Sequence, residues 1–361
     1  MKTIVLVGAG HAHLYCLKKI KEEKDLNGIK FIVISPSPFQ YYSGMFSGYS
    51  EGLYSIDEIR IDIRKFTIHP SIEFIEEYVG KIEPNLKYIE CSSGRKVYFD
   101  IVSFDIGSIG ENPPNFIDNI YPIKPTFMYP ESINKLRVKE QPIIVGGGAS
   151  ALELALSIKA YQRRNQIQSN VTLICSNQLL SNYPKKITNV VKDLARKKEV
   201  HIYEHERVSY VNESKVKTES GLAISHNGLL WLTGPKAPLL FKHSNLQVSS
   251  DNFLLVNQYL QNEQYPFIFG AGDCVTLMNY KSLPKNGVYA VRQSPILWNN
   301  IIACVNDEPL TSFQPQKNYL SIISTGQKEG LLLYNKYYFH HSLAWYLKNK
   351  IDQNFIQTFK S

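Results

Sequence analysis

Two stretches of the chain bring together residue types whose spacing could hold a nucleotide. Ile4-Val5-Leu6-Val7-Gly8-Ala9-Gly10-His11-Ala12-His13-Leu14 is an apolar run, too short for a helix, that enters Gly-x-Gly and then a helical pattern. Pro142-Ile143-Ile144-Val145-Gly146-Gly147-Gly148-Ala149-Ser150-Ala151-Leu152-Glu153 repeats it, with Gly146 and Gly148 as the glycines and Ala151 as the small third residue. A buried strand that turns tightly on glycine into a helix lets backbone approach a pyrophosphate at the positive helix end. One Gly-x-Gly is a weak sign, because many ordinary strand-to-helix turns carry one. Two copies imply two nucleotides, or the two halves of a relay.

The surroundings of these turns depart from the usual dinucleotide pattern. His13 stands where the first copy would place its third glycine, and the acid expected at the end of the second strand for the adenosine ribose is replaced by Ser35-Pro36. The Ser35 hydroxyl can still bond a ribose. In the second copy Ser176-Asn177 stand in that place. Without a carboxylate to reject a 2′-phosphate, NADPH stays open. NADH is the first expectation, since no arginine is placed to receive that phosphate and Lys185 and Lys186 are the nearest cations. A third glycine turn, Tyr265-Pro266-Phe267-Ile268-Phe269-Gly270-Ala271-Gly272-Asp273-Cys274, ends in an aspartate that could bond a sugar-alcohol hydroxyl, cap a helix, or do both.

These turns need strands and helices to hold them. The pattern predicts a helix over 14–23, a second strand over 29–34, and an aromatic loop Pro38-Phe39-Gln40-Tyr41-Tyr42-Ser43-Gly44-Met45 at the carboxyl edge, where ligands bind in open α/β sheets. That loop suits a flat ring system, or equally a surface closing the core. From 71 to 108 the pattern predicts an inserted antiparallel meander of strands 72–75, 79–82, 87–91 and 96–98, returning to a buried strand 101–106 that ends in Gly107-Ser108. Residues 109–140 are proline-rich and read as an irregular crossover. After the second glycine turn come a helix over 150–163, a strand over 171–175, shorter strands, and an exit at Thr233-Gly234 that echoes Gly107-Ser108. A helix beginning Gly287-Val288-Tyr289-Ala290-Val291-Arg292-Gln293 follows the third turn.

Composition bounds the rest. At 361 residues the chain has room for two or three domains, and its composition is that of an ordinary globular protein. The net charge of +8 comes from scattered lysines without a dense basic run, which argues against nucleic acid and leaves a mild bias toward anionic nucleotides or an anionic membrane. Five cysteines form no Cys-x-x-Cys and no close pair, so no zinc site or disulfide framework is expected and reduced, cytoplasmic thiols are the default. No secretory leader pattern precedes the first glycine turn, and no apolar run approaches the ~20 residues of a spanning helix. Near the C-terminus Phe339, Leu343, Leu347, Ile351, Phe355 and Phe359 recur every fourth residue among Lys336, Lys348, Lys350 and Lys360. Such an amphipathic basic helix either adsorbs to a membrane surface or packs on the protein itself, and packing is the commoner outcome.

In this order the motifs resemble the FAD-dependent pyridine nucleotide-disulfide oxidoreductase superfamily, with an FAD turn first, an NAD(P)H turn in the middle, and Gly-x-Gly-Asp returning to the FAD unit. Within it the chain resembles the type II NADH dehydrogenase branch, and more closely the flavoprotein group also found fused to selenophosphate synthetase. The likeness rests on Gly8 to Leu14, Tyr42-Ser43-Gly44-Met45, Asp105-Ile106-Gly107-Ser108, Gly146 to Glu153, Gly270 to Cys274, Ala290-Val291-Arg292-Gln293 and Leu320 to Gly326. In that group a histidine at the position of His13 and Ser-Pro at the ribose position are familiar.

The resemblance implies an α/β fold of two Rossmann-like dinucleotide-binding domains with three-layer ββα architecture. FAD would occupy 1–125 with 251–312, NAD(P)H 126–250, and a small region with the amphipathic helix 313–361. It implies Gly8, Gly10, His11, Ala12, His13, Ser35, Ser43, Gly44, Gly107, Gly272 and Asp273 at FAD, and Gly146, Gly148 and Ala151 at the nicotinamide nucleotide. Glu153 falls near nicotinamide and flavin, or is simply a carboxylate favoured by the helix dipole. Tyr289 and Gln293 fall beside the acceptor pocket. Lacking a cysteine pair for disulfide or sulfide chemistry, the chain is expected to pass a hydride from NAD(P)H through flavin to a quinone-like small molecule. The alternatives are a flavoenzyme of sulfur or selenium metabolism, or a flavin-bound redox sensor. The expected location is cytoplasmic with an optional peripheral membrane contact, and a homodimer stays open.

Overall fold

The computed structural model describes residues 1–23, 26–114 and 120–360. Two five-stranded parallel sheets organise them. In the first, strands run in the order Ile268–Gly270, Ile101–Phe104, Lys2–Val7, Ile29–Ile34, Ile72–Ile75. In the second the order is Ile120–Tyr121, Gly228–Trp231, Pro142–Val145, Val171–Ile174, Val200–Tyr203. The strands that feed the first two glycine turns, Lys2–Val7 and Pro142–Val145, are each central in their sheet, and the strand that feeds the third, Ile268–Gly270, is an edge of the first. Ile4–Val7, Phe31–Ile34 and Ile101–Phe104 are buried along their length, which is why they read as continuous apolar runs rather than alternating ones.

The structure changes three of the expectations. Ile72–Ile75 is not part of the meander; it pairs in parallel with Ile29–Ile34 as the edge of the first sheet, and only Val79–Glu83, Tyr88–Cys91 and Lys96–Tyr98 form the antiparallel ribbon. Four alternating residues cannot by themselves declare a partner, and buried Phe31 to Ile34 offered the larger apolar face. The proline-rich crossover, whose residues 115–119 lie outside the described residues, contains a helix, Tyr129–Leu136. Pro130 sits in its first turn, where no intrahelical amide is needed, and Tyr129, Ile133 and Leu136 are fully buried.

The third change is in the amphipathic stripe. Phe339 lies on a strand, Tyr337–His341, of a three-stranded antiparallel sheet with Ser321–Gly326 and Glu329–Tyr334; only then does the helix Ser342–Gln357 begin. Trp345, Ile356 and Phe359 are buried, Phe355 is half-buried, and Leu343, Leu347 and Ile351 are 62%, 41% and 47% exposed. The stripe is therefore split: one end packs on the protein and the other is uncovered. The basic fringe is split as well, since Lys348 turns inward to Asp352 and the Gly44 carbonyl, and Lys360 to the carbonyls of Asp57 and Glu58.

The strand Ser321–Gly326 packs on the helix Ala149–Arg164. Gly326 stands where an added Cβ would lie 2.9 Å from the Leu156 carbonyl oxygen, so the close approach requires glycine. Among the described residues no helix is long and apolar enough to cross a membrane.

Candidate functional site

The first glycine turn joins Lys2–Val7 to the helix His11–Glu22. Gly8 has φ +85°, and a side chain there would collide with the Asp105 carbonyl. A Cβ on Gly10 would fall on the Asp105 carboxylate itself. Asp105 follows the neighbouring strand Ile101–Phe104 and is almost fully buried. Its carbonyl accepts from the Gly10 amide at 3.2 Å, and Oδ2 accepts from the amides of Ala12 at 2.8 Å and His13 at 3.1 Å. Burial pushes its pKa up to about 7; the two amide bonds oppose that shift, and nearby Asp273 adds to it.

His13, in the place of the third glycine, turns into the core. The Gly8 carbonyl can only accept, so Nδ1 carries the proton and donates to it at 2.6 Å; Nε2 then accepts from the Ser103 hydroxyl at 2.8 Å. Burial holds the ring down to about pKa 4. The histidine ties the turn to the neighbouring strand from beneath. Ser35 is also buried, with its hydroxyl donating to the Ser37 carbonyl at 2.9 Å.

The third turn comes alongside the first. A Cβ on Gly272 would lie 2.7 Å from Asp105 Oδ1, and the Gly272 amide donates to Gln293 Oε1 at 2.7 Å. Tyr289 is one turn earlier on the same face of the helix Gly287–Asn306. These two side chains, with Gly272, Asp273 and Lys285, line a polar cavity of about 20 Å³, room for one water. Asp273 is half-buried, 3.8 Å from Lys124 Nζ, and Lys124 also donates to Ser108, next to Gly107. Gly107 has φ +67° and open space around it. Cys274 is buried and donates to the Ala271 carbonyl at 3.2 Å; burial pushes its thiol up to about 12, so it is not a thiolate at neutral pH. All five cysteines are free.

His11 faces the aromatic loop. Its ring lies 5.5 Å from that of Tyr42 and 5.4 Å from that of Phe355, and Tyr42 and Phe355 stack at 4.4 Å. The Tyr42 hydroxyl donates to Asp352 at 3.0 Å, and Lys348 bonds both Asp352 and the Gly44 carbonyl. Ser43 is exposed beside them. The loop after the second strand thus meets the C-terminal helix, an association of residues more than 300 positions apart.

The second glycine turn repeats the first without its carboxylate. Gly146 has φ +150°, and a side chain there would strike the Leu232 carbonyl, the counterpart of Asp105 at the end of Gly228–Trp231. Gly148 is the N-cap of Ala149–Arg164, has no side-chain cap, and a Cβ there would meet nothing within 4 Å. This uncapped helix start beside open space fits a nucleotide phosphate. Ala151 is buried against the sheet. Glu153 faces the C-terminal sheet: Oε1 accepts from the Ser324 amide at 2.7 Å, and burial raises its pKa while Lys348 lowers it.

The structure therefore gathers Gly8, Gly10, Ala12, His13, Gly272, Asp273 and Gln293 around Asp105, and gathers His11, Tyr42 and Gly44 against the C-terminal helix. Gly146, Gly148 and Ala151 stand at the second sheet. Sequence reasoning passed over Asp105, Lys124, Lys348 and Asp352 as site residues. A carboxylate closing an otherwise apolar buried strand was the available sign for Asp105, and Lys348 with Asp352 one turn apart was the sign for that pair.

Two parallel sheets, each ending its central strand in a glycine turn that excludes a side chain, define an FAD-dependent pyridine nucleotide oxidoreductase. The chain belongs to the pyridine nucleotide-disulphide oxidoreductase family, whose model matches residues 2–294. It is 25% identical over 304 residues to Ferroptosis suppressor protein 1 of Taeniopygia guttata, covering 80% of this chain and 79% of that one. To the type II NADH:quinone oxidoreductase of Staphylococcus epidermidis it is 23% identical, covering 91% and 89%. The sulfide:quinone oxidoreductase structure from Aquifex aeolicus superposes with TM-score 0.82 at 18% identity, covering 100% of this chain and 92% of that one.

Proposed function

We propose that the protein passes a hydride from NAD(P)H through FAD to a quinone-like acceptor. The observation that carries this reading is the pair of glycine turns on separate parallel sheets, with the Gly272-Asp273 turn returning to the first. The names of the relatives from Staphylococcus epidermidis and Aquifex aeolicus support a quinone. Bound FAD would supply the hydride relay, accepting two electrons from the nicotinamide and returning them to a second substrate.

On this reading residues 1–125 and 251–312 hold FAD, 126–250 hold NAD(P)H, and 313–361 form the remainder. Gly8 and Gly10 bring backbone and the positive helix end to the FAD pyrophosphate, and Asp273 holds the sugar alcohol. Gly148 opens the helix start to the nicotinamide nucleotide, while Gly146 and Ala151 let strand and helix approach. Glu153 orients the partner helix against the C-terminal sheet, and Tyr289 and Gln293 shape the wall next to Gly272. The uncovered Leu343, Leu347 and Ile351, with exposed Tyr337 and Phe339 nearby in sequence, are the part of the surface suited to lie on a membrane where a lipid-soluble acceptor resides.

The test is anaerobic stopped-flow absorbance of the flavin-loaded protein with NADH or NADPH, then with a short-chain quinone. Fast bleaching by one nucleotide and fast reoxidation by quinone are expected. Fast bleaching followed by sluggish reoxidation would replace the quinone with another acceptor; no bleaching by either nucleotide would overturn the hydride reading.

A further inference from the structure

The helix start that ought to receive the FAD pyrophosphate already holds an anion from its own chain. Asp105 engages three amides of the turn: Gly10 through its carbonyl, and Ala12 and His13 through Oδ2. It is wedged between two glycines, Gly10 and Gly272, neither of which could carry a side chain beside it. The second glycine turn has no such group, although its backbone geometry is otherwise parallel.

A carboxylate and a pyrophosphate at one helix terminus repel one another at short range, in a place where water screens poorly. The hydrogen bonds to Asp105 come from backbone amides rather than from a cation. The titratable groups facing it are His13 and Cys16 on the helix His11–Glu22 and Asp273 and Cys274 on the third turn. Beyond them lie His11 and Lys124, which interact with Asp273, and Lys285, which interacts with Cys274. His13 is held neutral by burial, so the near groups offer Asp105 no positive charge.

We propose that Asp105 positions the first glycine turn and takes up one proton from solvent when FAD binds, so that the cofactor's pyrophosphate replaces the charge that the free turn keeps on its own carboxylate. This rests on the reading that the chain holds FAD. The neutral acid still accepts from the two amides and keeps the turn in shape. Its pKa of about 7 without a bound phosphate places the exchange within reach of ordinary pH. A phosphate at the same helix start moves that value higher, so FAD binding is tighter on the acid side and weakens as pH rises.

The experiment measures FAD release from the loaded, full-length protein by flavin fluorescence between about pH 6 and about pH 9, a range that brackets the proton step. The dissociation constant is expected to rise above pH ~7 by up to about tenfold per unit, the limit for one proton. In Asp105→Asn, which keeps an oxygen for the amides and cannot titrate, the rise is expected to vanish. A purely structural Asp105 would instead weaken FAD in the variant equally at every pH. Should the variant fail to fold, an indicator dye in weak buffer at about pH 8, above the free-state value, reports the proton directly, and up to about one proton released per FAD lost from the wild type is expected. A flat profile with FAD bound, or zero protons, overturns this inference alone; absence of FAD binding at every pH overturns the reading beneath it.

Discussion

Glu153 Oε1 and the Ser324 amide are hydrogen-bonded at 2.7 Å, joining the second turn of the helix behind the second glycine motif to the C-terminal sheet. The carboxylate thus meets protein 171 positions away, and the Ser324 amide loses its acceptor if the side chain is removed. Glu153→Ala is expected to lower stability by about 1–3 kcal/mol in chemical denaturation, whereas Glu153→Gln keeps an acceptor and loses less. Burial raises this carboxyl above its usual range, so the folded protein binds the proton more tightly than the unfolded chain. Wild-type stability from this group therefore falls as pH rises from ~4.5 through the raised value, and Glu153→Gln should flatten that segment. An unchanged profile in the variant would show that Glu153 is not the group responsible.

The two glycines of the second turn should separate fold from binding. Gly146→Ala puts a Cβ onto the Leu232 carbonyl at φ +150° and is expected to cost at least ~1 kcal/mol, read as a drop in Tm. Gly148 has φ −88° and open space, so Gly148→Ala should lose only the N-cap preference of glycine over alanine, no more than about 1 kcal/mol, while KM for the nicotinamide nucleotide rises. A Gly148→Ala protein with normal KM would remove this helix start from the nucleotide site.

His13 should give acid instability with a definite sign. Its folded value of about 4 lies below the free value of 6.5, so the unfolded chain binds the proton first and stability is lost as pH falls through that window. The difference of about 2.5 units corresponds to on the order of 3 kcal/mol. Urea titrations across that range in wild type and His13→Gln should show the slope in the former and its reduction in the latter.

Gln293 and Tyr289 share a helix face and should behave differently. Gln293→Leu leaves the half-buried Gly272 amide without its acceptor, with an expected loss of about 1 kcal/mol and faster flavin release. Tyr289→Phe removes only a 3.5 Å contact to the Gln316 carbonyl and should leave Tm within about 0.5 kcal/mol equivalent of wild type. Equal losses in the two variants would contradict this assignment of Gln293.

The uncovered stripe predicts a surface effect without a stability effect. Leu343→Ser, Leu347→Ser and Ile351→Ser together should abolish co-sedimentation with anionic vesicles while each changes stability by no more than about 0.5 kcal/mol. Retained sedimentation in the triple variant would place any membrane contact elsewhere.

Local pattern by itself determined a good deal of this protein. The runs Ile4–Val7 and Pro142–Val145, their glycines and the helices behind them are where periodicity put them, because a buried parallel strand and a glycine turn are local commitments of backbone and side-chain type. What only the tertiary structure decided are relations between distant segments. The partner of Ile72–Ile75, the inward turn of Lys348 to Gly44, and the division of the C-terminal stripe into packed and exposed halves all depend on which surface a second segment presents. Asp105 shows the limit most plainly: in the chain it is one aspartate after a strand, and it becomes the anion of the first glycine turn because parallel pairing of Ile101–Phe104 with Lys2–Val7 brings its carboxylate to the amides of Ala12 and His13. Strand register, a long-range property, chose that contact.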